Sequence, residues 1–162
     1  MNTPFNNKTS FTTACSDRYF EDYIPGSVHE FGEVLVDEGE VLEFARQYDP
    51  QYFHTDPLRA RDSMFGGLIA SGFHTAAMVM RLLVDHFLSQ VAGMGSPGID
   101  ELRWLKPVRP GDRLWIRITI QEAKRSRSKP DRGLVSSLVE VLNQGNETVM
   151  TFKAMVFVGS RA

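Results

Sequence analysis

A carboxylate and an imidazole stand five residues apart in Tyr48-Asp49-Pro50-Gln51-Tyr52-Phe53-His54-Thr55-Asp56-Pro57. Asp49 and His54 could together hold one water molecule, drawing off its proton while its oxygen attacks a substrate. On a helix, residues five apart diverge by more than about a hundred degrees, so the pair could converge only from a loop. Pro50 and Pro57 support a loop there. The spacing alone is commonplace, and the elements around it decide what it means.

The chain enters this segment through a strand and a short helix. Val28 to Val36 has strand composition and follows the turn signal Pro25-Gly26. Asp37 and Glu40 resemble a capping box, and Val41, Leu42, Phe44, Ala45 and Tyr48 follow with helical spacing. Asp56-Pro57 predicts another short helix, with Asp as cap and Pro at the first position. After Ser63-Met64-Phe65-Gly66-Gly67 the longest helix is predicted over 70–91, apolar on nearly every face apart from a stripe of His74, Arg81, Asp85 and Ser89. Such a helix must be buried by something that wraps it.

The wrapping material comes next. Leu114, Ile116, Ile118 and Ile120 alternate with Trp115, Arg117, Thr119 and Gln121, and Met150 to Val158 alternate in the same way. Residues 134–142 are a third strand, joined to the last by Asn143-Gln144-Gly145-Asn146. Residues 99–105 are a fourth, ended by the turn 107–112. A helix in the middle and strands at the end predict an α+β fold, with a curved antiparallel sheet wrapped around a long central helix. This single domain covers 17–162, and residues 1–16, rich in Asn, Thr and Ser, are expected to be a loose tail.

Composition narrows the classes of function. A chain of 162 residues with 42% hydrophobic and 23% charged residues fits one globular domain with a real core. A formal net charge of −2 gives no reason to expect nucleic acid as a partner. The lone Cys15 leaves no internal disulfide framework and no cysteine-rich zinc site. Residues 1–16 lack the apolar run and basic cluster of a secretory signal, and no apolar run is long enough to span a membrane, so the cytoplasm is the expected setting.

Asp49, Phe53, His54 and Asp56 are followed by Ala60, Phe65, Gly66, Ile69 and Gly72, then by Pro107-Val108-Arg109-Pro110-Gly111-Asp112 and Asn143-Gln144-Gly145. On these residues the chain, from Tyr19 to Val158, resembles the MaoC-like dehydratases, among them the R-specific enoyl-CoA hydratases, which have the hot-dog fold. The resemblance implies an enzyme that adds or removes water at the double bond of an enoyl-CoA-type thioester. It implies that Asp49 and His54 hold the water, with Asp49 taking its proton. It also implies that the backbone N–H of Gly72, at a helix N-terminus, meets the charge developing on the thioester oxygen. No cofactor is implied beyond the coenzyme A carried by the substrate. A homodimer or higher homo-oligomer is implied, which would also cover the edge of a single sheet.

The chain departs from the family pattern with Tyr48 for a small residue, Gln51 for Asn, Tyr52 for Pro, and Ser71 for the His before the glycine. Two alternatives therefore stand beside the hydratase. One is a non-catalytic protein of the same fold that binds an acyl-CoA or a protein partner; the other is an acyl-CoA thioesterase. Ser71 and His74, flanking Gly72, are candidates to bind substrate, and His74 has a core or capping role as its alternative. Lys124 to Arg132 is a basic segment in which Arg125, Arg127 and Lys129 could bind coenzyme A phosphates, the other reading being a solvated hairpin. Asp56 reads as a helix cap. His54-Thr55-Asp56 is half of an iron-site pattern, but His74 and His86 both fall on the long helix, so no metal is expected.

Overall fold

Period-two alternation places each apolar segment in a strand. The computed structural model describes residues 8, 9 and 11–162. Its strands are β1 (Val28–Leu35), β2 (Ile99–Trp104), β3 (Arg113–Arg125), β4 (Arg132–Leu142) and β5 (Thr148–Gly159). They form one antiparallel sheet in the order β1-β3-β4-β5-β2. Leu114, Ile116, Ile118 and Ile120 of β3 are fully buried, as are Val139 and Val141 of β4, so one face of the sheet carries the core.

The helices are α1 (Glu38–Tyr48), α2 (Tyr52–Thr55), α3 (Pro57–Ala60) and α4 (Gly72–His86). Asp37 starts α1 by accepting the Glu40 N–H at 3.0 Å. Asp56 starts α3 by accepting the N–H groups of Leu58 and Arg59, each at 3.1 Å, with Pro57 at the first position. Both starts are local side-chain caps that the residue types dictate.

The expectation of a curved sheet wrapped around a long central helix is not met. The sheet is open, with β1 and β2 at its edges. The remaining elements are short helices, of which α4, with 15 residues, is longest. α4 buries one stripe (His74, Thr75, Met78, Val79, Leu82, Leu83), while Phe73, Met80 and Val84 are 65%, 48% and 40% exposed. Positions that recur every four residues make a single contact face, so the apolar residues elsewhere on α4 mark open surface. The helix also ends before residue 91. The Ser89 hydroxyl accepts the N–H groups of Ala92 (2.8 Å) and Val91 (3.3 Å), which turns the chain away.

Within the segment expected to be a loose tail, residues 1–7 and 10 lie outside the described residues. Lys8 forms a backbone bridge with Glu30 of β1, and the Phe11 ring stacks on His29 at 4.0 Å. Among the described residues no helix is long and apolar enough to cross a membrane.

Three segments meet where chemistry could occur. α1 delivers Asp49, α2 carries His54, and residues 68–70 tie α2 to the turn that precedes β3. Ile69 N–H bonds the Phe53 carbonyl at 3.1 Å, and Ala70 N–H bonds the Val108 carbonyl at 2.8 Å.

Candidate active site

Asp49 and His54 do converge, but from two helix ends instead of a loop. Asp49 is the C-cap of α1, its N–H bonded to the Ala45 carbonyl at 2.8 Å, and His54 lies in the single turn of α2. Pro50 cannot continue α1, so the chain re-aims before the next turn starts. His54 is buried, and its Nδ1 lies 2.8 Å from the Ile69 carbonyl. A carbonyl only accepts, so Nδ1 carries a hydrogen. Nε2 is 3.3 Å from Asp49 Oδ2.

Two further side chains hold the carboxylate. The fully buried Ser71 donates its hydroxyl to Asp49 Oδ2 at 2.7 Å, and the Gln51 amide donates to Oδ1 at 2.8 Å. Burial pushes the Asp49 carboxyl up, but the Gln51 and Ser71 hydrogen bonds and the nearby His54 outweigh it and hold the group below its ordinary value. A carboxylate has room for about four hydrogen bonds. Asp49 can therefore still accept from a water.

The pair opens on a cleft of about 510 Å³ walled by Phe53, Phe65, Trp104, Leu105, Pro107 and Val108. Gly72, the first residue of α4, lines it as well. The first N–H groups of a helix have no partner within it and carry partial positive charge. Thr75 N–H is bonded to the Ser71 carbonyl at 3.0 Å, and among the described residues nothing bonds the Gly72 N–H. The glycine also has a structural reason to be there. A Cβ at this position would fall 2.4 Å from the Trp104 indole, whose Nε1–H donates to the Gly72 carbonyl at 3.0 Å.

The other predicted site residues are placed as follows. Ser71 is brought to the site, with its hydroxyl on Asp49. His74 is turned away: two residues along a helix rotate the side chain by about 200°. It stacks on Phe44 at 4.9 Å and borders a separate groove with Glu33, Glu40 and Asp85; burial lowers its pKa, against the pull of Glu40. Arg125 bonds the Pro130 carbonyl, Ser160 and Glu21. None of Arg125, Arg127 and Lys129 borders the Asp49/His54 cleft. Asp56 spends its carboxylate on the α3 cap. Gln51 and Trp104 are the site residues that sequence reasoning missed. Gln51 was visible only as a departure from the family pattern, and Trp104 is 32 positions from the glycine it touches.

An apolar cleft holding a carboxylate–imidazole pair beside an unbonded helix-terminal N–H has the equipment for acid–base chemistry next to a carbonyl. The chain belongs to the MaoC-like dehydratase family, whose "MaoC like domain" matches residues 20–141. It is 40% identical to a MaoC-like dehydratase from Rhodospirillum rubrum, whose crystal structure superposes with a TM-score of 0.83 over 90% of this chain and 99% of that one. It is 35% identical to 3-hydroxyacyl-thioester dehydratase Z of Mycobacterium tuberculosis over 72% of this chain and 66% of that protein. It is 32% identical to nodulation protein N of Rhizobium meliloti over 73% of this chain and 75% of that protein.

Proposed function

We propose that this protein hydrates the double bond of an enoyl thioester of coenzyme A, or removes water in the reverse direction. The observation that carries this reading is the Asp49 Oδ2–His54 Nε2 pair, 3.3 Å apart on a cleft that Gly72 also lines. The similarity to a 3-hydroxyacyl-thioester dehydratase supports it, because a 3-hydroxyacyl thioester is what water addition to an enoyl thioester yields.

In the proposed reaction a water on the cleft side of the pair is hydrogen-bonded to both Asp49 and His54. Its oxygen forms a bond to the β-carbon while its proton passes to Asp49, with His54 as second partner. The π electrons move toward the thioester oxygen, where the Gly72 N–H meets the developing negative charge. The α-carbon then takes back one proton, so one water is added and the site returns to its starting state. Gln51 and Ser71 keep the carboxylate aimed. Coenzyme A enters as part of the substrate, and the reading needs no other cofactor.

A panel of enoyl-CoA thioesters, followed by loss of the conjugated absorbance, tests this directly. Hydration of at least one member is expected. Binding without any loss of absorbance would mark a non-catalytic acyl-CoA binder, and release of free thiol would mark a thioesterase.

A further inference from the structure

We infer that Trp104 is a positioning residue that anchors Gly72 at its carbonyl and at its Cα and so, with Ser71 held on the preceding side, keeps the Gly72 N–H directed at the cleft. The inference rests on the proposed role of that N–H. Trp104 is the last residue of β2, paired with Met150 of β5, and reaches across to the first residue of α4. Its indole N–H bonds the Gly72 carbonyl at 3.0 Å, and its ring occupies the volume that a side chain at 72 would need. Phe73 meets the same ring edge-on at 5.5 Å, with the planes at 67°. On the other side, Ser71 is held by its hydroxyl on Asp49. The Gly72 N–H thus lies between two anchored neighbours, one tied to the carboxylate and one to the sheet. An oxyanion donor works only when it is aimed before charge develops, and a bare helix terminus frays. Ser71 makes no side-chain cap on α4, and Trp104 supplies a restraint at that end of the helix.

The test separates positioning from packing. Trp104→Phe keeps a ring against Gly72 and loses the N–H. Turnover should fall roughly tenfold while the Michaelis constant stays within about twofold, since the donor acts on charge present only in the transition state. Gly72→Ala should lower the melting temperature sharply in the wild-type background and much less beside Trp104→Ala, because residues in contact are not additive. Unchanged turnover in Trp104→Phe, or an equal penalty for Gly72→Ala in both backgrounds, overturns the inference. Should Trp104→Ala fail to fold, Gly72→Ala is compared between the wild-type and Trp104→Phe backgrounds, where the smaller ring should ease the clash. Failure of the proposed function would appear separately, as a wild-type protein that hydrates no thioester. The inference rests on the Gly72 N–H and would fall with it, whereas unchanged turnover in Trp104→Phe beside an active wild type overturns the inference alone.

Discussion

The Asp49 carboxylate is ringed by groups that favour its charge, and its pH behaviour follows from them. Its folded pKa is depressed: burial opposes, while Gln51, Ser71 and His54 prevail. Its ionisation therefore contributes stability above the unfolded value, and that stability is lost as pH falls through the depressed folded value. Ser71→Ala removes one donor, so the carboxyl should rise toward its ordinary value and the acid limb of the kcat/KM profile should move to higher pH. An acid limb that stays in place would mean that the Ser71 hydroxyl does not hold Asp49 in solution. Asp49→Asn and His54→Ala should each lower turnover on the order of a hundredfold or more. The two should differ in stability. His54→Ala also strips the buried Ile69 carbonyl of its donor, a loss of about 1–3 kcal/mol, and its melting temperature should drop further than that of Asp49→Asn. Near-normal turnover in either variant would remove the proposed water site. That Asp49, His54 and Gly72 meet at one cleft was legible because the motif around them is kept. The partners were not: Gln51 and Ser71 read as departures, and nothing in a linear pattern says that a serine 22 positions away reaches a carboxylate.

At the scale of elements, what was legible was local. The caps at Asp37 and Asp56 act over two or three residues, so residue type alone located the starts of α1 and α3. α4 closes at His86, where Arg18 and Tyr23 from far earlier in the chain take the His86 and Phe87 carbonyls, and the order of strands depends on contacts across the chain, so neither the helix's end nor the sheet's openness is written in a local pattern. The basic hairpin carried two readings, a phosphate site and a solvated loop. β3 runs on to Arg125, whose guanidinium bonds Glu21, Pro130 and Ser160. β5 places Met150 beside Trp104 and Gly159 beside Arg132, so the hairpin and the cleft are separated by most of a strand, roughly 30 Å at about 3.4 Å per residue. Changing Arg125, Arg127 and Lys129 together to Ser should therefore leave the Michaelis constants for a CoA thioester and its pantetheine analogue in the same ratio. Exposed ion pairs contribute about 0.2–1 kcal/mol, so only a small loss of thermal stability is expected. A selective, salt-sensitive rise in the constant for the CoA thioester would show instead that the hairpin meets the nucleotide phosphates.

At the scale of the whole molecule, the two sheet edges are treated differently. Lys8 meets β1, exchanging backbone hydrogen bonds with Glu30 at 2.8 and 2.6 Å. β2 pairs with β5 on one side, and among the described residues nothing pairs with its other side. Apolar side chains stay uncovered on that strand and on the nearby chain and helix: Ile99 is 50% exposed, Met80 48%, Val91 52% and Met94 43%. An unpaired strand next to such a surface would template uncontrolled association unless something covers it. A second copy approached about a twofold axis offers the same strand and the same apolar residues, so one self-complementary contact covers both edges. A stable interface of this kind buries on the order of 1,600 Å² in total. The protein is therefore expected to sediment as a homodimer at micromolar concentration, and Ile99→Arg, which puts a charge on the bare strand, should shift it to monomer. Because β2 ends in Trp104, the monomeric variant should also lose turnover on the best enoyl thioester while Asp49 and His54 are untouched. A wild-type monomer at micromolar concentration would refute the assembly, and an Ile99→Arg monomer with full turnover would show that each chain holds its cleft in order alone.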